Sequence, residues 1–139
     1  GEVDLVSSAW NNWSRRSDVR DGSLRPVIQS GLRRHKELKD IPLMQDLLDD
    51  PQHKKVAEFL SSGSAIGRAI LVPKSIPSER LAALRNAFDA VVADPAFIAD
   101  ATRASAELDP TSGADVQKIS DDILTTPTNI IQLAIDAGK

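Results

Sequence analysis

The chain has 139 residues, 41% of them hydrophobic and 27% charged, a balance that supports one folded core and excludes a disordered tail. Its formal net charge of -3 gives no electrostatic reason to bind nucleic acid or an anionic membrane, both of which recruit basic surfaces. With no cysteine there is no disulfide framework and no thiolate zinc site, an absence compatible with a reducing or an oxidising compartment.

The apolar stretch Val3 to Trp10 is short, and its middle is expected to be a strand. Gly1-Glu2-Val3-Asp4 lacks the basic and apolar regions of a signal peptide, so an export signal, if one is used, is expected upstream. Asn11 to Ser23 is polar and suits a surface loop or one turn of helix. Leu24 to Gln29 reads as an edge strand or a strand start, because Val27 and Ile28 favour pleated structure and Pro26 has no N–H to give a ladder. Leu32 to Asp40, with Arg33, Arg34, His35, Lys36 and Lys39, reads as a solvated connection. After Pro42, the spacing of Leu43, Met44, Leu47 and Leu48 predicts a short helix.

Pro51 opens a helix with Val56, Phe59 and Leu60 on one face, and the Ser61-Ser62-Gly63-Ser64 cluster is expected to end it. Ile66 to Val72 follows as a strand whose run Ile70-Leu71-Val72 would be buried on both faces, stopped by Pro73. From Pro77, Leu81, Leu84, Phe88 and Val91 recur at helical spacing. Asp94-Pro95 caps the next helix, with Phe97, Ile98 and Ala101 inward. A short extended piece at Glu107 to Asp109 precedes Ser112, a second N-cap, and a helix bearing Val116, Ile119 and Ile123. Thr126-Pro127 opens a last helix with Ile130, Ile131, Ala134 and Ile135, closed by Gly138. The expected class is therefore α/β: a small sheet with a predominantly helical C-terminal half. No fixed-period repeat runs through it.

No reactive constellation stands out. His35 has no carboxylate at helical spacing, and Pro51 separates His53 from Asp49 and Asp50 at a helix boundary, so no metal site is expected. No serine sits in a Gly-x-Ser-x-Gly turn. Gly63-Ser64-Ala65-Ile66-Gly67 lacks the Gly-Lys-Ser/Thr ending of a phosphate cradle. The pairs Asp49-Asp50 and Asp121-Asp122 are read as solvated helix surface, as is the basic cluster Arg33 to Lys39, which has no interleaved aromatics. Trp10 and Trp13, in a chain without tyrosine, suit stacking on an organic ligand or packing in a core or interface. The expectation is no enzyme activity and no cofactor.

Several segments together resemble a known family. Gly1-Glu2-Val3-Asp4 before an apolar stretch and small residues, Gly22-Ser23-Leu24-Arg25-Pro26-Val27-Ile28-Gln29, and Asp40-Ile41-Pro42 through Asp46-Leu47 are each similar to segments of tripartite tricarboxylate transporter solute receptors of the TctC or Bug type. The longest similarity is Val72-Pro73-Lys74-Ser75-Ile76-Pro77 with Leu84, Ala87-Phe88 and Asp94-Pro95, the family's order of strand, two-proline turn, long helix and aspartate-proline cap. Lys-Ser-Ile stands where the family favours Ala-Gly-Thr, and no tryptophan lies in the final helices, so the chain looks like a divergent branch.

That resemblance implies part of a type II periplasmic-binding-protein-like clamshell, with 1–65 in the second lobe and 66–139 as the crossover strand and the helices completing the first. It implies a periplasmic receptor that takes a small organic acid, often a carboxylate, and delivers it to a membrane permease. A long N-terminal part of the same protein would carry the loops whose backbone N–H groups hold the carboxylate. Ligands of open α/β sheets sit beyond the carboxyl ends of strands, which makes Ser7, Ser8 and Trp10 the candidate ligand-binding residues, with Arg68 a candidate carboxylate partner. Two alternatives stay open: a helical protein-interaction or regulatory module, and a domain of an enzyme whose catalytic residues lie elsewhere.

Overall fold

Proline and aspartate punctuation sets most of the helix starts. In the computed structural model, which describes residues 4–139, Asp50 precedes Pro51 and its carboxylate accepts from the backbone N–H groups of Gln52 and His53 at 2.6 and 3.3 Å. Those two bonds hold the Asp50 carboxyl below its ordinary pKa, the Gln52 bond contributing most. The Asp94 carboxylate accepts from the N–H groups of Ala96 and Phe97 at 2.7 and 3.0 Å, and Ser112 accepts from the N–H of Asp115 at 3.1 Å. Such caps satisfy amides that have no partner inside the helix.

The elements are α1 (Trp10–Trp13), α2 (Ser17–Arg20), a 3-10 turn (Met44–Leu47), α3 (Pro51–Ala65), α4 (Ser78–Ala93), α5 (Pro95–Arg103), α6 (Gly113–Leu124) and α7 (Thr128–Ala137). α3 is the hub, packing against the 3-10 turn, α6 and α7, while α4 packs on α5. Val56 and Ala57 of α3, Ile130 of α7 and Leu43 before the 3-10 turn are buried, as is Ala101 of α5. Ser61 of α3 is buried too, and its hydroxyl meets that of Ser30 at 3.2 Å. No helix among the described residues is long and apolar enough to cross a membrane.

The expected α/β architecture is overturned. The chain is about 54% helix, and its described residues contain no sheet, so it is not an α/β clamshell. The one ladder-like contact is an isolated parallel bridge between Gln29 and Leu43, where the Gln29 N–H donates to the Pro42 carbonyl at 2.9 Å and the Met44 N–H donates to the Gln29 carbonyl at 2.8 Å. Around Leu5-Val6, Val27-Ile28 and Ile70-Val72 the three segments read as strands have no regular structure and, among the described residues, no ladder partner. Residues 1–3, where the first of those readings begins, lie outside the described residues. Ile70 and Leu71 are 83% and 87% exposed, the reverse of the burial on both faces that their run suggested. β-Propensity reports how a side chain suits a pleated surface, whereas a strand exists only once a partner takes its backbone groups. Nor does the Ser61 to Ser64 cluster end α3: Ser62 and Ser64 donate back to the carbonyls of Glu58 and Ser61 at 2.8 and 2.7 Å, which keeps them inside the helix.

The surface is large for the mass. A compact monomer of 15.0 kDa exposes about 7,000 Å², and this chain exposes 10649 Å², about half as much again. Its small core makes each buried or capping group count.

Two such groups generate predictions. The carboxamide of Gln29 donates to the carbonyls of Leu38 and Ile41, both at 2.7 Å, and accepts from the N–H of His35 at 2.8 Å. Gln29→Ala removes three bonds around a buried side chain and is expected to cost about 2–4 kcal/mol by urea unfolding. At the end of α5, Ser105 takes a left-handed φ of 53° while its own N–H and that of Ala106 close onto the carbonyls of Thr102 and Ala101. Glycine is at ease in that conformation, so Ser105→Gly is expected to raise stability by about 0.5–1 kcal/mol, read in the same titration.

Candidate functional site

A cleft of about 1230 Å³ opens among the described residues. The extended N-terminal segment, the loop around Gln29, the basic loop 33–38, the turn after α3, the face of α4 bearing Leu81, Leu84 and Phe88, and the 107–111 loop all line it.

All four residues singled out from the sequence line this cleft. Ser7 and Ser8 are exposed on the extended segment ahead of α1. They do not stand past a strand end, because that segment pairs with nothing. Trp10 is the first residue of α1 and is partly buried, its indole N–H donating to the Glu37 carboxylate at 2.8 Å. That bond fixes the ring against the 33–38 loop and leaves its apolar face as wall. Arg68 is exposed in the turn between α3 and the extended segment 69–73. Trp13 also reaches the cleft, but the Arg16 guanidinium lies over its ring, 4.8 Å from the centroid.

The basic cluster read as a solvated face is exposed at Arg33, Arg34, Lys36 and Lys39, and residues 33–36 also line the cleft. Arg33 forms an ion pair with Asp109, its Nη2 at 2.8 and 2.9 Å from the two carboxylate oxygens, and His35 Nε2 lies 2.6 Å from Glu107 Oε1. The N–H of Glu37 donates to His35 Nδ1 at 3.1 Å, which makes Nδ1 an acceptor and leaves Nε2 to carry the proton donated to Glu107. Arg34 turns to Asp46 at 2.6 Å and donates to the Lys39 carbonyl at 3.0 Å. The Arg34 guanidinium first, then the N–H of Leu43, hold the Asp46 carboxyl below its ordinary pKa.

With those pairs made, the cleft keeps three cations that have no ion pair among the described residues: Arg25, Lys36 and Arg68. Of its acids, Glu107 and Asp109 are already engaged, which leaves Asp4. An uncompensated positive lining beside serine hydroxyls and an indole wall suits a small anion with an organic body. Among the described residues no group of three or more His, Asp or Glu side chains is placed to hold a metal ion.

Sequence reasoning missed Arg25, Lys36 and the part played by the 107–111 loop. The available signal was charge complementarity between the cluster at 33–36 and the acids at 107 and 109, and seventy-odd intervening residues hid it. No protein-family profile, no curated protein and no solved structure matches the chain.

The two cross-loop pairs brace the wall. Glu107→Ala leaves His35 without its acceptor and is expected to cost about 1 kcal/mol, because both groups are only partly screened by water. Faster amide exchange in residues 31–40 and 104–111, with exchange in α3 changed little, is the expected pattern.

Proposed function

We propose that this chain is a ligand-binding component that takes a small organic acid, a carboxylate, in the cleft, and that it works as part of a periplasmic solute receptor handing the acid to a membrane permease. One observation carries the binding reading: Arg25, Lys36 and Arg68 line the same cavity as Ser7, Ser8 and Trp10 without an ion pair among the described residues. A carboxylate gives such cations their charge-assisted hydrogen bonds, and arginine can grip both oxygens at once. The transport half rests only on the resemblance of short segments to tripartite tricarboxylate transporter receptors, which no family profile supports, and it is held here without the clamshell fold.

The size of the cleft bears on how binding works. Small-molecule pockets usually enclose about 300–1,000 Å³, and this cleft is larger and open, so a small acid fills only part of it. Arg68 sits on the turn after α3 and Lys36 on the loop that the cross-loop pairs brace. Binding is expected to rely on the charged groups for orientation and on the indole and the α4 face for excluding water.

A thermal-shift screen against aliphatic and aromatic carboxylates tests this directly, since a ligand bound only by the folded state raises the melting temperature by mass action. One acid should give a concentration-dependent rise. Arg68→Ala should weaken its binding by about 10- to 100-fold, the worth of one charge-assisted hydrogen bond, and Trp10→Ala should weaken it too. A folded protein that shows no shift across the panel sinks the carboxylate reading. It would favour a helical interaction module, for which the exposed apolar surface is the supporting observation.

A further inference from the structure

Charge accounts for only part of the cleft lining. Four separate stretches of the chain line the same space with large aliphatic residues: Leu5 and Val6 ahead of α1, Val27 and Ile28 before Gln29, Ile70 after α3, and Leu84 on α4. All six are exposed, from 42% at Ile28 to 83% at Ile70. The partly buried Leu81 and Phe88 continue the α4 face on either side of Leu84. A single exposed aliphatic residue is ordinary on a protein surface, whereas several from distant parts of the chain around one cavity mark a groove for apolar matter.

We propose that the acid taken in this cleft is amphipathic: one carboxylate for the unpaired cations, and an apolar body, an alkyl chain or an aryl ring, laid against the aliphatic lining. The head group is that of the carboxylate reading, on which this inference rests; the body is what the lining adds. Three features choose such a molecule over a short polyacid. First, a di- or tricarboxylate of a few carbons fills little of about 1230 Å³ and leaves the aliphatic residues in water. An apolar body covers them, and each methylene it buries strengthens binding about three- to fourfold. Second, Arg33, Arg34 and His35 are already paired with Asp109, Asp46 and Glu107. A hydroxyl or second carboxylate set against the aliphatic lining would give up its hydration for no partner. Third, head and body sites adjoin along the chain. Arg25 stands two residues before Val27, and Arg68 two before Ile70, spans of at most about 7 Å. A carboxylate held by either arginine therefore brings the first carbons of its body to an aliphatic neighbour.

Titration calorimetry of the folded protein with butanoate, hexanoate, octanoate, succinate, citrate and 1-hexanol tests the assignment. The expected result is affinity rising about three- to fourfold per methylene from butanoate to octanoate, with octanoate bound more tightly than succinate or citrate and with a negative heat-capacity change. Ile70→Ser and Leu84→Ser should each weaken octanoate by about tenfold and butanoate by less. Both residues are exposed in the ligand-free chain, so an unchanged melting temperature is expected to accompany the loss. Leu124→Ser, at an 80% exposed leucine outside the cleft lining, should leave octanoate binding as it was. A flat chain-length series, or succinate or citrate bound more tightly than octanoate, overturns the apolar body while the carboxylate reading stands. A loss in Leu124→Ser equal to that in Ile70→Ser also overturns it, by showing adsorption to any exposed leucine. Hexanol bound as tightly as hexanoate, or no binding by any acid, sinks the carboxylate reading and this inference together.

Discussion

The side chain of Gln29 organises the half of the molecule that has little regular structure. It is buried, and both ends of its carboxamide are used: the NH₂ group bridges the carbonyls of Leu38 and Ile41, and the oxygen takes the N–H of His35. Its own backbone is tied at the same time to Pro42 and Met44. A buried amide left unpaired is costly, and one with its donors and acceptor engaged imposes geometry on everything it touches. Here it curls residues 31–43 around itself. Gln45 extends the arrangement by donating to the Gly31 carbonyl at 2.9 Å, and Arg34 pairs with Asp46 on the outside. The basic loop is therefore held from within by amides and from without by an ion pair, and this presents Arg33, His35 and Lys36 to the cleft.

The helical half supplies the floor that this loop rests against. Ser30, next to Gln29, meets Ser61 on α3, and α3 in turn packs on α6 and α7. A hydroxyl pair at such a junction is a polar contact where an apolar one would be expected, and it couples the position of the cleft wall to the most central helix. Few side chains are fully buried, so much of what holds the molecule together is capping, amide bridging and cross-loop ion pairing. Those interactions are individually modest in water, which gives a bound ligand more weight in the stability of the whole.

The candidate site was partly legible in the sequence. Trp10, Ser7 and Ser8 were singled out as residues next to a strand end, and Arg68 as a lone arginine able to meet a carboxylate. They do share a cleft, but the strand that motivated the first three is absent. What brings them together is the open space between the N-terminal segment, the turn after α3 and the apolar face of α4. Lys36 was passed over because a basic stretch in a net acidic chain ordinarily faces water, and Arg25 because it lay in a segment read as a strand; Arg33 and His35 find their acids only after the chain has folded back across some seventy residues.

The sequence by itself determined the local events: where helices begin at Asp50-Pro51, Asp94-Pro95 and Ser112. These depend on groups within four residues of one another, so a short window contains their whole physics. Tertiary structure alone decided whether Leu5-Val6, Val27-Ile28 and Ile70-Val72 would become a sheet. An extended apolar segment cannot satisfy its own backbone, and within this chain none of the three meets a partner strand. The same holds for the charges of the cleft, because whether an arginine is spent on a neighbouring carboxylate or left for a ligand is settled by distance in space and not by spacing along the chain.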